Sequence, residues 1–165
     1  MNQTIYPIGI QNFEKIRKDG YLYIDKTALI YQLAKTGSYY FLSRPRRFGK
    51  SLLLSTFEAY FEGKKELFEG LAIADMEKEW KTYPVFHLDL NAEKYDSPQA
   101  LVEILSRQLT QWELKYGKGE DEETLSGRFA GVIRRACEQS GRGVVVLVDE
   151  YDKPLLQVCL LYTSP

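Results

Sequence analysis

A basic loop followed by Gly-Lys-Ser is the part of this sequence whose residue types best suit chemistry on an anion. The loop is Ser43–Phe48, and Gly49, Lys50 and Ser51 follow it directly. Backbone N–H groups at a helix N-terminus favour negative charge, and glycine lets the backbone approach a phosphate closely. A lysine here supplies a point charge to the β- and γ-phosphates of a nucleotide, and the serine hydroxyl is a ligand for Mg²⁺.

The segments on either side of this loop are those that a nucleotide site requires. Tyr39–Leu42 is an aromatic and apolar run that predicts a buried strand, and apolar residues recur at helical spacing after the loop as far as about Phe61, with Gly63 as the stop. Strand, loop, Gly-Lys-Ser and helix have the order of a Walker A phosphate-binding loop. One residue departs from G-x-x-x-x-G-K-[ST], because the first glycine would fall at position 44, which is Arg44.

A second pattern decides between a nucleotide site and a merely basic, solvated loop, which the Gly-Lys-Ser tripeptide alone leaves equally open. Val144–Val148 is a fully apolar run that predicts a buried strand, and Asp149 and Glu150 come directly after it. A buried strand needs no carboxylates, so acids just beyond its carboxyl end indicate a site at the edge of a sheet. The two patterns together predict a site for ATP or GTP.

The rest of the chain supplies the elements that would position these motifs. Val85–Leu90 predicts another buried strand, in which Asp89 is a secondary site candidate near the carboxyl end. Ser97-Pro98 predicts the start of a long amphipathic helix that ends near Gly117. The acidic run Glu120–Glu123 is expected to be the solvated first turn of the next helix. Three apolar strands separated by helices predict a three-layer α/β fold with a parallel sheet and right-handed crossovers.

The composition narrows the class of protein. At 165 residues the chain has the length of one domain, and 22 Lys+Arg against 23 Asp+Glu leave no global field for nucleic acid or a membrane surface. No apolar run reaches about 18 residues, and Met1–Ile10 lacks a basic region followed by an apolar core, so neither a membrane span nor a conventional signal peptide is expected. Two cysteines form neither a disulfide framework nor a metal cluster, which favours the cytoplasm.

Three blocks of the sequence resemble a known family. The blocks are Tyr21–Thr27 (YLYIDKT), Ser43–Ser51 (SRPRRFGKS) and Val148–Leu155 (VDEYDKPL). In this order they resemble the bacterial predicted AAA-ATPase-like proteins, P-loop ATPases similar to the archaeal-type ATPases of the additional-strand, catalytic-glutamate class. Members commonly have R-P-R-R-F-G-K at the loop, which accounts for Arg44. The resemblance implies a three-layer P-loop NTPase fold with a mostly parallel sheet.

The resemblance also implies ATP and Mg²⁺ as cofactors and assigns the residues that hold them. Gly49, Lys50 and Ser51 correspond to the residues that bind phosphate, and the Ser51 hydroxyl to a ligand of Mg²⁺. Asp149 is similar to the acid that holds Mg²⁺ through water, and Glu150 to the base that polarises the attacking water.

The basic part of the matched loop adds further binding candidates. Arg46 and Arg47 would stabilise phosphate charge or contact a partner, although a merely solvated pair is an equal alternative. Phe48 lies in the same block and is grouped with the nucleotide-binding residues.

The resemblance also leads us to expect that residues 1–157 are the N-terminal part of the ATPase domain. The final residues, CLLYTSP, are similar to translated sequencing adapter, so residues 158–165 are expected to be a non-native tail. In this class a later strand inserts between the two motif strands and carries a sensor residue, so the chain would be truncated before that strand. We therefore expect this stretch alone to be a weak or inactive ATPase. Many relatives continue into a restriction-endonuclease-like nuclease domain, which is the route by which nucleic acid would be a partner.

Two other functions remain open at this point. One is a regulatory or binding module that holds nucleotide as a switch, and the other is a kinase, which shares the phosphate loop. The pair Asp149-Glu150 favours an ATPase over a kinase, because a base directed at water is what hydrolysis requires. Nothing in the sequence indicates the oligomeric state or the biological client.

Overall fold

The computed structural model describes residues 5–43, 45, 47–91 and 97–153. The chain divides into two compact units, Met1–Thr82 and Tyr83–Pro165. The described elements combine helices with a small parallel sheet, so the chain has a mixed α/β architecture.

The first unit is built from helices in its described part. They are α1 (Phe13–Lys18), α2 (Thr27–Thr36), α3 (Lys50–Phe61) and α4 (Ala72–Met76), with a 3₁₀ turn at Lys65–Phe68. Gly37 is the C-cap of α2, and α3 ends shortly before Gly63, as predicted, where φ is 72°. Glycine adopts this left-handed conformation without a Cβ clash, which is why it ends helices.

An aromatic cluster forms the core of the first unit. Phe13 of α1 and Phe68 of the 3₁₀ turn are fully buried, with ring centroids 4.8 Å apart. Tyr60 of α3 and the fully buried Ile73 of α4 belong to the same cluster. Each such buried side chain stabilises the folded state by about 1.5–3 kcal/mol. The core therefore buries the C-terminal half of α3 most deeply, and the first turn is half-buried, with Leu52 and Leu53 packed against the cluster.

The second unit contains the parallel sheet and two long helices. Its elements are β1 (Val85–Asp89), α5 (Pro98–Tyr116), α6 (Leu125–Ser140) and β2 (Val145–Asp149). The two strands are parallel and in direct register, from Val85 opposite Val145 to Asp89 opposite Asp149. Both strands therefore end at the same edge, and each ends in an aspartate.

Local capping explains the bounds of the two long helices. Ser97 accepts a hydrogen bond from the Ala100 amide and Pro98 occupies the first turn of α5, as predicted, while Thr124 caps α6 through the Gly127 amide. Phe86 of β1 is fully buried and stacks on Trp112 of α5 at 4.5 Å, which fixes this helix on the strand.

The prediction of a fully buried strand at Val144–Val148 is wrong in part. Leu147 is 8% exposed, but Val146 and Val148 are 42% and 40% exposed. Successive side chains of a strand point to opposite faces, so one face of β2 is covered and the other is partly open to solvent.

The prediction of a buried strand at Tyr39–Leu42 is also wrong. These four residues have no regular secondary structure, and their exposed fractions are 97%, 56%, 73% and 42% in chain order. A strand requires a neighbouring strand to take its backbone hydrogen bonds, and the described sheet consists of β1 and β2. Local apolar composition is therefore insufficient to make this segment a strand.

The acidic run Glu120–Glu123 is not the solvated first turn of a helix, because it precedes the Thr124 cap of α6. Glu122 is 11% exposed and accepts hydrogen bonds from both terminal nitrogens of Arg135, at 2.6 and 2.9 Å. This bidentate contact lowers the pKa of Glu122 to about 2. The acid thus fixes the loop before α6 to the helix itself.

Candidate functional site

The Gly-Lys-Ser sequence lies at the N-terminus of α3. Gly49 is the N-cap residue with a φ of 76°, and Lys50 is the first residue of the helix. A Cβ built on Gly49 would meet no atom within 4 Å, so glycine is required by its left-handed backbone and the space beside it is open. This open space at a helix N-terminus is compatible with a bound anion.

The charges around the first turn of α3 also suit an anion. This turn has no acidic residue, and Gly49 has no side chain with which to cap its amides. By contrast, α5 and α6 begin with Ser97 and Thr124, whose side chains accept from first-turn amides. Lys50 and Ser51 are both half-buried at the start of the helix. The donors of this loop fit a phosphate group.

Of four more residues of the predicted loop, the structure describes two, Arg47 and Phe48. Arg47 and Phe48 are exposed, and Arg47 has a φ of 67°, in the left-handed region that non-glycine residues seldom adopt. Arg44 and Arg46 lie outside the described residues. Of the predicted pair Arg46 and Arg47, the structure thus describes Arg47, which lies beside the start of α3.

Contacts further along α3 fix the helix that carries the loop. Ser55 accepts a hydrogen bond from the Phe13 amide at 2.7 Å, and Tyr60 donates to Glu77 at 2.5 Å. Lys35 of α2 also contacts the Glu77 carboxylate at 2.9 Å. Burial opposes ionisation of Glu77, but the hydrogen bonds from Tyr60, the Glu79 amide and Lys35 outweigh it and lower its pKa to about 2.

The block YLYIDKT links α2 to α4. Asp25 accepts from the amide and hydroxyl of Thr27 through one carboxylate oxygen and from the Ala72 amide through the other. The Thr27 hydroxyl in turn accepts from the amide of Ile73. Asp25 therefore accepts from the first amide of α2 although it precedes the N-cap residue, Lys26, whose own side chain makes no capping hydrogen bond. Tyr21, at the start of this block, forms an isolated parallel bridge with Ile5.

The two predicted acids lie at the carboxyl end of β2. Asp149 is 6% exposed, and its Oδ1 accepts from the amide of Glu150 at 2.9 Å. Glu150 is half-buried and has a φ of 54°. The strand therefore ends in a sharp change of backbone direction, which separates the buried carboxylate from the one beyond the strand.

The surroundings of Asp149 and Glu150 can be compared with those of a metal site formed by side chains alone. In the part of the chain that the structure describes, no group of three His, Cys, Asp or Glu side chains is arranged to hold a metal ion. Mg²⁺ in nucleotide sites is bound by one or two carboxylates together with phosphates and water, so the donor type of Asp149 fits this ion. The loop residues belong to the first unit and the acids to the second.

Sequence reasoning did not find a role for Lys153 or Asn91. The ammonium group of Lys153 donates to both the carbonyl and the side-chain oxygen of Asn91, which follows β1. The two residues are 62 positions apart, so no local pattern links them. The available signal was the position of Lys153 within the matched block VDEYDKPL.

Comparisons with known proteins agree with the local chemistry. The profile of a family described as "Predicted AAA-ATPase" matches residues 7–163. A protein of Azotobacter chroococcum mcd 1, described as an uncharacterized protein in the vnfD 5' region, is 43% identical over 157 residues. This match covers 94% of the chain and 30% of the relative, so the chain spans less than a third of that relative's length. No solved structure matches the chain.

The fold and these residues define an α/β protein with a Gly-Lys-Ser helix start and two acids at a strand end. The family match covers almost the whole sequence, and the chain belongs to the predicted AAA-ATPase family. Membership of this family indicates nucleotide binding. Among the described helices, none combines the length and the apolar character needed to cross a membrane.

Proposed function

We propose that this chain carries the ATP·Mg²⁺-binding residues of an ATPase that hydrolyses ATP in the full-length gene product. The observation that carries the proposal is the start of α3, where a left-handed Gly49 with open space beside it precedes Lys50 and Ser51. Membership of the predicted AAA-ATPase family supports the same reading. The finer fold assignment, a three-layer P-loop NTPase domain, is part of this proposal.

The loop residues bind the phosphates. First-turn amides of α3 donate to phosphate oxygens, and Lys50 supplies a positive charge to the β- and γ-phosphates. Ser51 presents a hydroxyl oxygen to Mg²⁺. Arg47 adds positive charge beside the loop, and the neighbouring Arg46 has the same role in the proposal.

The acids after β2 act on the metal and on water. Asp149 holds Mg²⁺ through water, and Glu150 accepts a proton from the attacking water. When bound, Mg²⁺ neutralises charge that develops on the phosphates. The half-buried position of Glu150 beyond the strand suits a base that must reach a reacting water, whereas the 6% exposure of Asp149 suits a fixed carboxylate.

A substitution at Lys50 tests nucleotide binding. ATP·Mg²⁺ at about 100 times its dissociation constant stabilises a protein by roughly 2.7 kcal/mol, which thermal unfolding detects. Lys50→Ala should abolish this shift, whereas Lys65→Ala, at an exposed lysine of the same unit, should keep it. A shift that persists unchanged in Lys50→Ala contradicts the proposal.

Turnover separates an ATPase from the other candidates. Phosphate release from ATP without an acceptor substrate supports hydrolysis, and transfer to an added acceptor identifies a kinase. Tight binding without either reaction identifies a nucleotide-dependent binding module. The low cysteine count is consistent with the cytoplasm as the site of action, which we include in the proposal.

A further inference from the structure

A closed set of hydrogen bonds joins the chain after β1 to the chain after β2. The Lys153 ammonium donates to the carbonyl oxygen of Asn91 and, at 3.1 Å, to its Oδ1. The Lys153 amide donates to the Glu150 carbonyl at 3.0 Å, which closes a tight turn. The side chain and backbone of one lysine therefore connect Glu150 to the end of the other strand.

The same set continues through the ends of the two strands. The Asn91 amide donates to Asp89 at 2.7 Å, and the Leu90 amide donates to the Asp149 carbonyl at 3.1 Å. The Glu150 amide donates to the Asp149 carboxylate at 2.9 Å. Every residue from 89 to 91, and both proposed site acids, thus take part in one connected arrangement.

This arrangement bears on Glu150 because of its backbone conformation. A φ of 54° is adopted by a glutamate only where surrounding contacts hold it there. The turn from Glu150 to Lys153 is anchored outside itself by the bonds from the lysine side chain to Asn91. Because that ammonium group already donates to two neutral oxygens, its main role is to bind the neighbouring loop.

We propose that Lys153 is a positioning residue, which binds Asn91 and thereby fixes the turn that directs the Glu150 carboxylate at the attacking water. The proposal rests on the proposed function, in which Glu150 is the base. Displacing a reacting group by about 1 Å can lower a rate by about 100-fold without a change in binding. Loss of the lysine bonds should therefore lower kcat and leave ATP affinity unchanged.

The experiment compares three variants of the full-length gene product in steady-state ATP hydrolysis and in ATP binding. Lys153→Met keeps most of the length of the side chain and removes its donors, so kcat should fall by about 10- to 100-fold at an unchanged ATP dissociation constant. Lys153→Arg keeps donors within reach of Asn91 and should restore most of the rate. Lys118→Met alters an exposed lysine of the same unit and should behave as wild type.

Two further measurements separate positioning from general destabilisation. In a Glu150→Gln background, adding Lys153→Met should not lower the residual rate further, because residues that act as a unit are non-additive. Asn91→Ala removes only the Oδ1 acceptor and keeps the carbonyl, so it should give a smaller fall in kcat in a fully folded protein. If Lys153→Met lowers the rate of hydrolysis by the same factor in the wild-type and Glu150→Gln backgrounds, the proposal is overturned.

Amide hydrogen exchange distinguishes failure of this proposal from failure of the ATPase assignment. Absence of ATP hydrolysis in the wild type rejects the ATPase assignment. Amide hydrogen exchange then tests only whether the Lys153 bonds to Asn91 hold the turn at Glu150. The amide of Glu150 should exchange faster in Lys153→Met than in wild type or Lys118→Met. A wild-type kcat in Lys153→Met, a weaker ATP affinity at unchanged kcat, or unchanged protection of the Glu150 amide overturns the positioning role.

Discussion

Asp89 and Asp149 are register partners at the carboxyl ends of two parallel strands, yet only Asp149 is buried. Register partners lie on the same face of a sheet, so the two carboxylates share an edge and a face. Asp149 bonds to the Glu150 amide, whereas Asp89 bonds to the Asn91 amide. In the proposed function Asp149 serves the metal, whereas Asp89 binds the loop after β1.

Asparagine substitutions separate the two aspartates, because an amide oxygen preserves each backbone hydrogen bond and removes only the charge. Asp149→Asn should raise the Mg²⁺ concentration needed for half-maximal hydrolysis by about 10- to 100-fold, as expected for a group that holds the ion through water. Asp89→Asn should leave that concentration nearly unchanged. Hydrolysis is measured as a function of Mg²⁺ in the full-length gene product, and equal shifts in both variants contradict the division of roles.

Glu150→Gln should retain ATP binding and lose turnover. The amide cannot accept a proton from water, and a general base contributes about 10²- to 10⁴-fold to a rate. The variant is compared with Glu120→Gln, which alters an exposed glutamate of the same unit and should hydrolyse ATP as wild type does. Unchanged hydrolysis in Glu150→Gln would assign the base to another group, and Asp152 is then the next residue to test.

The parts of the fold that follow from local chemistry were predictable from the sequence. Gly37 ends α2, Ser97 caps α5 and Gly141 ends α6, each through the backbone or side chain of the residue itself. Asp25 bonds to the start of α2 for the same local reason. The position of Lys50 at the first turn of α3 also follows from its neighbours in the chain.

The features that sequence reasoning missed depend on distant partners. Tyr39–Leu42 has strand-like composition, but strand formation requires a neighbouring strand, which composition does not specify. Glu122 pairs with Arg135 across 13 positions, and Lys153 with Asn91 across 62. Such pairs are determined by the packing of separate elements. From the sequence alone, the acidic run Glu120–Glu123 is therefore equally compatible with a solvated turn and with an ion pair to a distant arginine.

The Glu77 carboxylate should make the stability of the protein depend on pH between about 5 and 2. Its pKa is about 2 in the folded protein against an ordinary value of 4.5, so its contribution is present above 4.5 and is lost as the pH falls towards 2. Glu77→Gln removes this contribution and should lower the free energy of unfolding at pH 7 by about 1–3 kcal/mol. The difference between wild type and Glu77→Gln should shrink on acidification.

Unfolding of purified protein at several pH values measures this dependence. Glu79→Gln is the matched control, because Glu79 is exposed and its amide still donates to Glu77 after the substitution. A constant difference between wild type and Glu77→Gln from pH 7 to pH 3 contradicts the assignment.

Asp25 and Thr27 should behave as one energetic unit in the block that links α2 to α4. Thr27→Val leaves the amide of Ile73 without its hydroxyl acceptor, so it should lower the free energy of unfolding by about 1–3 kcal/mol. Thr27→Ser keeps the hydroxyl and removes one methyl group, a loss of about 0.8 kcal/mol. Asp25→Ala removes the acceptor of both the Thr27 hydroxyl and the Ala72 amide.

A double-mutant cycle between Asp25→Ala and Thr27→Val tests this coupling. The two side chains are joined by a hydrogen bond of 2.7 Å, so their combined effect should differ from the sum of the single effects by about 0.5–3 kcal/mol. Denaturant unfolding of the four proteins supplies the free energies. Additivity within about 0.3–0.5 kcal/mol means that each residue acts independently. In that case the hydrogen bonds through Asp25, Thr27 and Ile73 do not stabilise the block as a unit.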